Sequence, residues 1–552
     1  MVYDLIVEKG FVVDGTGNPW FKANVYVKGG RVVKVGGVGG VAEKVIDAEG
    51  LVVSPGFVDV HNHSDASLLT NPYVESLVMQ GVTTVCIGNC GLSAFPVKDS
   101  TKDMLHRYLS AFIPVPTIEW HTLGEFLEKI ERRGVSCNVA ALVGHGSVRV
   151  AVMGFDDRSP TRAELEEMKA LVAESMEDGA FGISTGLGYA PGFFSTTEEI
   201  VELSRVVAER GGIYATHIRS TDVTFVEAVE EAIEIGERAG LPVQISHIES
   251  HYPNWGLIPK VLDVLDKARE RGVDVTCDVP PYLYGMTTLT SLLPDWVQEG
   301  GFAAMVRRLK DKNVRERIKG ELPLERDKYL NSSSIILGID GRWEKIRIVK
   351  SEKNPHFNGK SIREISALLG KNPYDVIFDL LIEEGKMIMI TGEFHNEDDL
   401  RMVLKHPAAM VESDERAYTA GDPASGFPHP RAYGVFPLVY RKYVRGETRP
   451  ELPEEKGASI LSLEEAVRKM TSMPADRLGL FDRGLLRVGM WADLVVFDPE
   501  RIEDKATYND PHQYPEGISY VIINGEVVVE KERHTGALPG RVLRGPFYKR
   551  KN

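Results

Sequence analysis

The first 54 residues carry short runs of apolar positions, partly alternating with polar ones, that stop at glycine. Leu5-Ile6-Val7, Ala23-Asn24-Val25-Tyr26-Val27 and Arg31-Val32-Val33-Lys34-Val35 have this texture. Asp14-Gly15-Thr16-Gly17 and Lys28-Gly29-Gly30 lie between them. β-Branched runs of this length predict strands, and the glycine pairs predict the turns that join them. No helical period is present in this stretch. From about Pro55 the texture changes, and apolar strand-like runs alternate with amphipathic segments. Strands are predicted at 82–87, 137–143, 212–216, 242–246 and 273–277, with helices between them that include 161–178 and 224–239. The first of these helices opens with Ser159-Pro160-Thr161-Arg162-Ala163-Glu164, a capping residue followed by an early acid. Repeated strand–helix units predict parallel strands. This many units predict an α/β fold with a (β/α)8 TIM-type barrel rather than a doubly wound sheet. No Gly-x-Gly-x-x-Gly turn follows the first strand, which argues against a dinucleotide site.

Two breaks in the rhythm set the expected domains. Residues 294–386 are long, polar and charged and read as an insertion at the top of the barrel. From about Gly484 the β texture returns, at 492–497 and 519–525. The expected organisation is a small β-sandwich built from residues 1–54 and 484–552, flanking a catalytic barrel over 55–483 with its insertion around 294–386.

Composition narrows the class. The chain has 552 residues, beyond the roughly 250–300 at which a single core stops growing. A hydrophobic content of 43% with 26% charged residues is that of an ordinary globular protein. A net charge of −15 argues against non-specific nucleic-acid binding. Four cysteines, Cys86, Cys90, Cys137 and Cys277, are too few for a disulfide scaffold. No stretch approaches the roughly 18 apolar residues of a membrane span. The N-terminus reads as a strand and not a signal peptide. A cytoplasmic, reducing setting is expected, and the many Glu, Lys and Arg residues fit a thermophile.

Candidate chemistry gathers at predicted strand ends. Gly56-Phe57-Val58-Asp59-Val60-His61-Asn62-His63 places two histidines at i and i+2, which project to one side of an extended chain. Neutral imidazoles so placed suit a divalent metal. His217, in Thr216-His217-Ile218-Arg219, and His247, in Ser246-His247-Ile248-Glu249, also end predicted strands, and a strand–helix step separates them. Cys90 lies in Gly88-Asn89-Cys90-Gly91, where glycine lets backbone approach a ligand. Ala408-Ala409-Met410-Val411-Glu412-Ser413-Asp414 ends an apolar run in a carboxylate, able to serve as ligand, general base or both. Four histidines, a cysteine and an aspartate can build a zinc site with a position left for water, which suits a hydrolase rather than a closed structural site. His145, in Gly144-His145-Gly146, is expected near the third strand's end in a pocket or supporting role. Cys86, Cys137 and Cys277 read as buried apolar residues.

At these residues the chain resembles the amidohydrolase superfamily, and closely its N-acyl-D-amino-acid deacylases (D-aminoacylases), over nearly its whole length. The resemblance to the deacylases rests on Gly88-Asn89-Cys90-Gly91, Ser184-Thr185-Gly186-Leu187-Gly188-Tyr189-Ala190-Pro191-Gly192 and His429-Pro430-Arg431-Ala432-Tyr433-Gly434. Gly489-Met490-Trp491-Ala492-Asp493-Leu494 and Asn524-Gly525 resemble the wider superfamily. The resemblance implies a barrel with a small β-sandwich from both termini. It implies that Cys90 replaces the carboxylated lysine that bridges two metals in other branches, and no lysine occurs in 182–186. It implies one tight zinc on Cys90, His217 and His247, and a weaker second position on His61, His63 and Asp414 with Cys90 bridging. By the same resemblance, metal-activated water hydrolyses a linear amide, with Asp414 as general base and then acid. Tyr189 is the implied oxyanion donor, and Arg431 and Tyr282 the implied contacts of the substrate carboxylate. Two positions depart from the family. Glu249 stands where the family commonly has a lysine, and Ser413-Asp414-Glu415-Arg416 replaces Ser-Asp-Gly, which makes Arg416 a candidate for the displaced cation. A D-amino-acid dipeptidase, a hydantoinase-like cyclic-amide hydrolase and a non-catalytic scaffold of the same fold are the competing readings. The expected partner is a small N-acylated or dipeptide-like substrate, with no nucleic acid or membrane; oligomeric state, a homo-oligomer included, stays open.

Overall fold

The computed structural model of the chain describes residues 2–110, 115–299, 302–330, 332–421, 426–449 and 455–549. Met1 and 550–552, counted with the chain ends above, lie outside the described residues.

The N-terminal segment forms β1 (Val2–Val12), β2 (Phe21–Lys28), β3 (Arg31–Val35), β4 (Val41–Asp47) and β5 (Val52–Pro55). The barrel follows as β6 (Phe57–Asp59), β7 (Val82–Ile87), β8 (Asn138–Ala141), β9 (Val143–Gly144), β10 (Gly182–Gly186), β11 (Ile213–His217), β12 (Val243–Ile245) and β13 (Val275–Val279). An inserted lobe carries β14 (Tyr284–Thr288), β15 (Ile346–Ile348) and β16 (Met389–Glu393), and β17 (Ala409–Val411) returns to the barrel. The C-terminal segment adds β18 (Leu494–Phe497), β19 (Ile518–Ile523), β20 (Glu526–Glu530) and β21 (Arg533–His534).

All barrel pairings are parallel, in the order β6-β7-β8 and β9-β10-β11-β12-β13-β17. Helices cover the outer face, so β7, β8 and β12 are buried on both sides. That explains their continuous apolar runs. The last strand meets the first at the rim: Asp414 N–H donates to the His61 carbonyl at 3.1 Å and His63 N–H to the Glu415 carbonyl at 2.9 Å. The single strand expected over 137–143 is two pieces. β8 pairs with β7, β9 pairs with β10, and the break falls at Leu142, against which Gly88 packs closely. The helix Arg162–Asp178 begins, as its sequence predicts, at a Thr161–Glu164 capping box.

The two chain ends build one nine-stranded sheet, β21-β20-β19-β18-β5-β1-β2-β3, with β4 on β1. Antiparallel pairing of β18 with β5 joins them. Alternation divides β18 between two cores: Leu494 and Val496 join Leu5, Val7 and Val53 within the sheet, and Val495 and Phe497 join the barrel core. Not all of the C-terminal segment stays with the sheet. After β21 the chain runs along the barrel, with bridges Val135↔Pro539 and Val139↔Val542. The physical reason is backbone pairing: Val139 N–H donates to the Arg541 carbonyl at 2.9 Å and Leu543 N–H to the Val139 carbonyl at 2.8 Å.

The insertion between β13 and β17 is more than polar chain. Its antiparallel sheet β14-β16-β15 and helices such as Ser333–Ile339 and Pro373–Glu384 enclose a core of their own, including Leu289, Ile336, Ile346, Phe378 and Ile390. Exposed polar helix faces dominate its composition and hid that core from the sequence reading. No helix among the described residues is long and apolar enough to cross a membrane.

Candidate metal centre

Six of the singled-out side chains converge at the C-terminal rim of the barrel. His61 and His63 follow β6, Cys90 follows β7, His217 ends β11, His247 follows β12 and Asp414 follows β17. Parallel strands in register bring all of these ends to one face. His61 Nε2 lies 3.1 Å from Cys90 Sγ and 3.4 Å from Asp414 Oδ1. His63 Nε2 is 3.1 Å from the same carboxylate oxygen. On its other side Cys90 Sγ faces His247 Nε2 at 3.6 Å and His217 Nδ1 at 4.0 Å. Two donor sets result, His61/His63/Cys90/Asp414 and Cys90/His217/His247, sharing one sulfur, with the ligand atoms in each set within 4.8 Å of one another.

The backbone is bent to achieve this. Cys90, His247 and Asp414 have φ of 53°, 34° and 45°, a region that L side chains seldom occupy. Such strain persists only where the surroundings over-determine it, and it concentrates at functional sites. Glycine supplies the room. A Cβ on Gly186 would lie 2.3 Å from the Cys90 carbonyl oxygen, and one on Gly188 2.8 Å from His217 Nε2. Asp278 Oδ1 accepts from His247 N–H at 2.6 Å and lies 3.6 Å from His61 Nδ1, with Gln244 Nε2 donating to its other oxygen at 2.5 Å. Asp59 accepts from Asn62 Nδ2 at 2.8 Å and from Ser413 N–H at 3.0 Å, locking β6 to the chain after β17.

Electrostatics favour ionised ligands. Burial alone would raise the Cys90 thiol, but the charge of His61 and hydrogen bonds from His217, His247 and His61 hold it well below its ordinary value. Burial likewise opposes ionisation of Asp414, and the Arg431 guanidinium, with Nη1 2.9 Å from Oδ2, outweighs it and holds the carboxyl well below the usual range. The buried His61 Nδ1 and His63 Nδ1 have no hydrogen-bond partner. A thiolate, a carboxylate and four imidazoles are a donor set that fits zinc.

The other singled-out residues divide. The Tyr189 hydroxyl donates to the Cys90 carbonyl at 2.6 Å and its ring edge meets His217 at 5.0 Å. Arg431 is buried against Asp414, with Glu415 3.7 Å from its Nε. The Tyr282 hydroxyl is buried without a hydrogen-bond partner, and its ring packs edge-on to His429. Glu249 turns to His395, with Oε1 2.9 Å from Nδ1. The Arg416 guanidinium lies over the Tyr418 ring, and its Nε donates to that hydroxyl at 3.0 Å. His145, expected in a pocket or supporting role, lies apart from the six. It belongs to neither donor set, and its Nε2 sits 2.8 Å from Glu199, which also binds Arg149 Nη1 at 2.6 Å, all three side chains buried. The first turn of a helix begins at His145 and turns the ring toward Glu199.

Sequence reasoning passed over Asp278, Glu412 and Asp59. Asp278 and Glu412 lie with His61 in a third buried group. The available signal was an acid inside an apolar strand, as in Val275-Thr276-Cys277-Asp278-Val279, where an uncompensated charge is costly.

Comparison with known proteins is consistent with this geometry. The model of the amidohydrolase family matches residues 44–529. An N-acyl-D-glutamate deacylase of Alcaligenes xylosoxydans xylosoxydans is 32% identical over 546 residues, 98% of this chain and 96% of that protein. A D-aminoacylase from the same organism is 33% identical over 543 residues, covering 98% and 97%. The crystal structure of N-acyl-D-glutamate deacylase from Bordetella bronchiseptica, complexed with zinc and a phosphonate inhibitor that mimics the tetrahedral intermediate, superposes with a TM-score of 0.80 at 32% identity, over 99% of this chain and 100% of that one.

Proposed function

This chain belongs to the amidohydrolase family, and from that premise we propose that it hydrolyses a linear amide, converting an N-acyl-D-amino acid to a carboxylate and a D-amino acid. The observation that carries the reading is the convergence of two donor sets on one buried sulfur, Cys90, at the barrel rim. Cys90, His217 and His247 would hold a tight zinc, and His61, His63 and Asp414 a weaker second metal bridged by the same sulfur. Zinc bound there supplies a Lewis acid that makes water nucleophilic near neutral pH and polarises the amide carbonyl.

The chain's own groups supply the proton traffic. Arg431 keeps Asp414 ionised and therefore able to take a proton from the attacking water. The water oxygen bonds to the carbonyl carbon, the C–N bond breaks, and Asp414 returns the proton to the departing nitrogen. The Tyr189 hydroxyl, now on the Cys90 carbonyl, is the donor best placed to turn toward the oxyanion. Arg431 and Tyr282 are assigned to the substrate carboxylate, Arg431 because guanidinium binds carboxylate bidentately. We assign 55–483 to the catalytic barrel and the two ends to the flanking β unit. A cytoplasmic setting accompanies the reading, supported by four buried cysteines without a disulfide.

A screen of N-acetyl-D-amino acids beside their L-enantiomers, D-dipeptides and hydantoins tests the proposal. Turnover of N-acetyl-D-amino acids in preference to the L-series is expected. Turnover restricted to hydantoins or to dipeptides would overturn it.

A further inference from the structure

A separate donor set lies at the seam between the barrel and the inserted lobe, sharing no residue with the metal centre at the rim. Glu249 and His251 follow β12 of the barrel, and His395 follows β16 of the lobe. A ligand atom from each lies within 4.8 Å of the other two. Glu249 and His395 are more than nine-tenths buried. Glu249 Oε1 is 2.9 Å from His395 Nδ1, near enough for an ion pair, yet neither atom has a hydrogen-bond partner, and His395 Nε2 has none either. A buried carboxylate oxygen and a buried imidazole without hydrogen-bond partners, facing each other across a seam, are unusual in a purely structural cluster.

The remaining ligand is held in a useful orientation. His251 Nδ1 lies 3.0 Å from Thr221 Oγ1. A ring that donates its Nδ1 proton to that hydroxyl carries a lone pair on Nε2, the tautomer of a metal-ligating histidine. The rings of His251 and His395 stack at 4.9 Å with planes 17° apart, and Phe394 stacks on His251 at 5.5 Å, which limits their rotation. Hydrogen bonds already stitch the two segments together: Tyr252 N–H and Trp255 Nε1 both donate to the Phe394 carbonyl at 2.7 Å.

We propose that Glu249, His251 and His395 form a further binding site for a divalent transition metal, of the zinc or cobalt class, that fastens the lobe to the barrel. Two imidazoles and one carboxylate are a donor set for such ions, with water completing the shell. Bond lengths of about 2.0–2.2 Å require the three groups to draw inward slightly. The assignment removes Glu249 from the residues that face the substrate. It also stands or falls apart from the hydrolase reading, because its ligands are distinct.

The test is a cobalt titration of the full-length chain after metal removal, followed by dialysis, a metal count per chain and a visible spectrum. Wild type should retain one equivalent more than Glu249→Gln or His395→Ala. That equivalent should survive in Cys90→Ser and contribute no thiolate-to-cobalt charge-transfer band, because only nitrogen and oxygen bind it. Glu249→Gln nearly preserves volume, so its count decides should His395→Ala fail to fold. Equal counts in wild type and Glu249→Gln, with the band at Cys90 intact, would show that Glu249 and His395 are only an ion pair and overturn the proposal.

Discussion

Two buried polar clusters sit at opposite ends of this barrel, and they differ in what they leave unpaired. At the base, Asn138 of β8 meets Asp493, Asn524 and Arg483 from the C-terminal segment. Arg483 Nη1 binds Asp493, Arg483 Nη2 donates to Asn524 Oδ1 at 2.9 Å, and Asn524 N–H donates to Asp493 Oδ1 at 2.7 Å. Asn138 Nδ2 donates to Asp493 Oδ2 at 3.1 Å, and Asn524 Nδ2 to Asn138 Oδ1 at 2.8 Å. No polar side-chain atom of these four residues is orphaned. At the rim, His61 Nδ1, His63 Nδ1, Glu415 Oε2, Arg431 Nε and both Glu412 oxygens lack hydrogen-bond partners. Desolvated polar groups are costly unless satisfied. The closed network spends its polar atoms on holding the β unit to the barrel. The open one leaves donors that could hold a metal. Both clusters contain motif residues, so residue identity alone does not separate structure from chemistry; the unpaired valences do.

The largest expected effect is at the open cluster. Asp414→Asn removes the proposed proton carrier while leaving Cys90, His217 and His247 in place, and kcat should fall by about 10²–10⁴-fold. Steady-state kinetics with a metal count on the same sample checks this, and turnover within about threefold of wild type would remove Asp414 from the chemistry.

A smaller effect is expected at an intermediate case. Asp222, after β11, is buried and accepts one hydrogen bond, from Ser333 Oγ of the lobe at 2.5 Å. Desolvation, partly offset by Ser333, raises its carboxyl from 3.8 to about 6. A value raised by folding means that the folded state binds the proton more tightly. The stabilisation is therefore complete below the unfolded value of 3.8 and is lost as pH rises through about 6. A shift of this size corresponds to about 3 kcal/mol. Denaturant unfolding between pH 4 and 7 should show wild type losing stability relative to Asp222→Asn as pH rises. Parallel profiles would mean that the carboxylate is compensated in a way its single bond does not show.

Much of this architecture was legible because parallel strands inside a helical shell leave continuous apolar runs, and the polar residue that ends each run marks the rim. That is how His61, His63, Cys90, His217, His247 and Asp414 were singled out before their side chains were seen together. Three features were hidden for physical reasons. The break at Leu142 lies where pairing passes from β7 to β10, a tertiary event with no local signature. The lobe's core was masked by polar outer faces. The turning of His145 toward Glu199 and of Glu249 toward His395 joins segments 54 and 146 residues apart, beyond the reach of any local pattern.

Metal per folded chain in Cys90→Ser, set beside Asp493→Ala, tests the contrast between the two clusters most directly. Cys90→Ser should lose at least one equivalent of tightly held zinc and still unfold cooperatively. Asp493→Ala should keep that zinc and lose about 3–5 kcal/mol of stability, because it leaves Arg483 buried and uncompensated. A Cys90→Ser protein that retains all of its zinc, or a folded Asp493→Ala protein that has lost it, would contradict the assignment of chemistry to the rim and structure to the base.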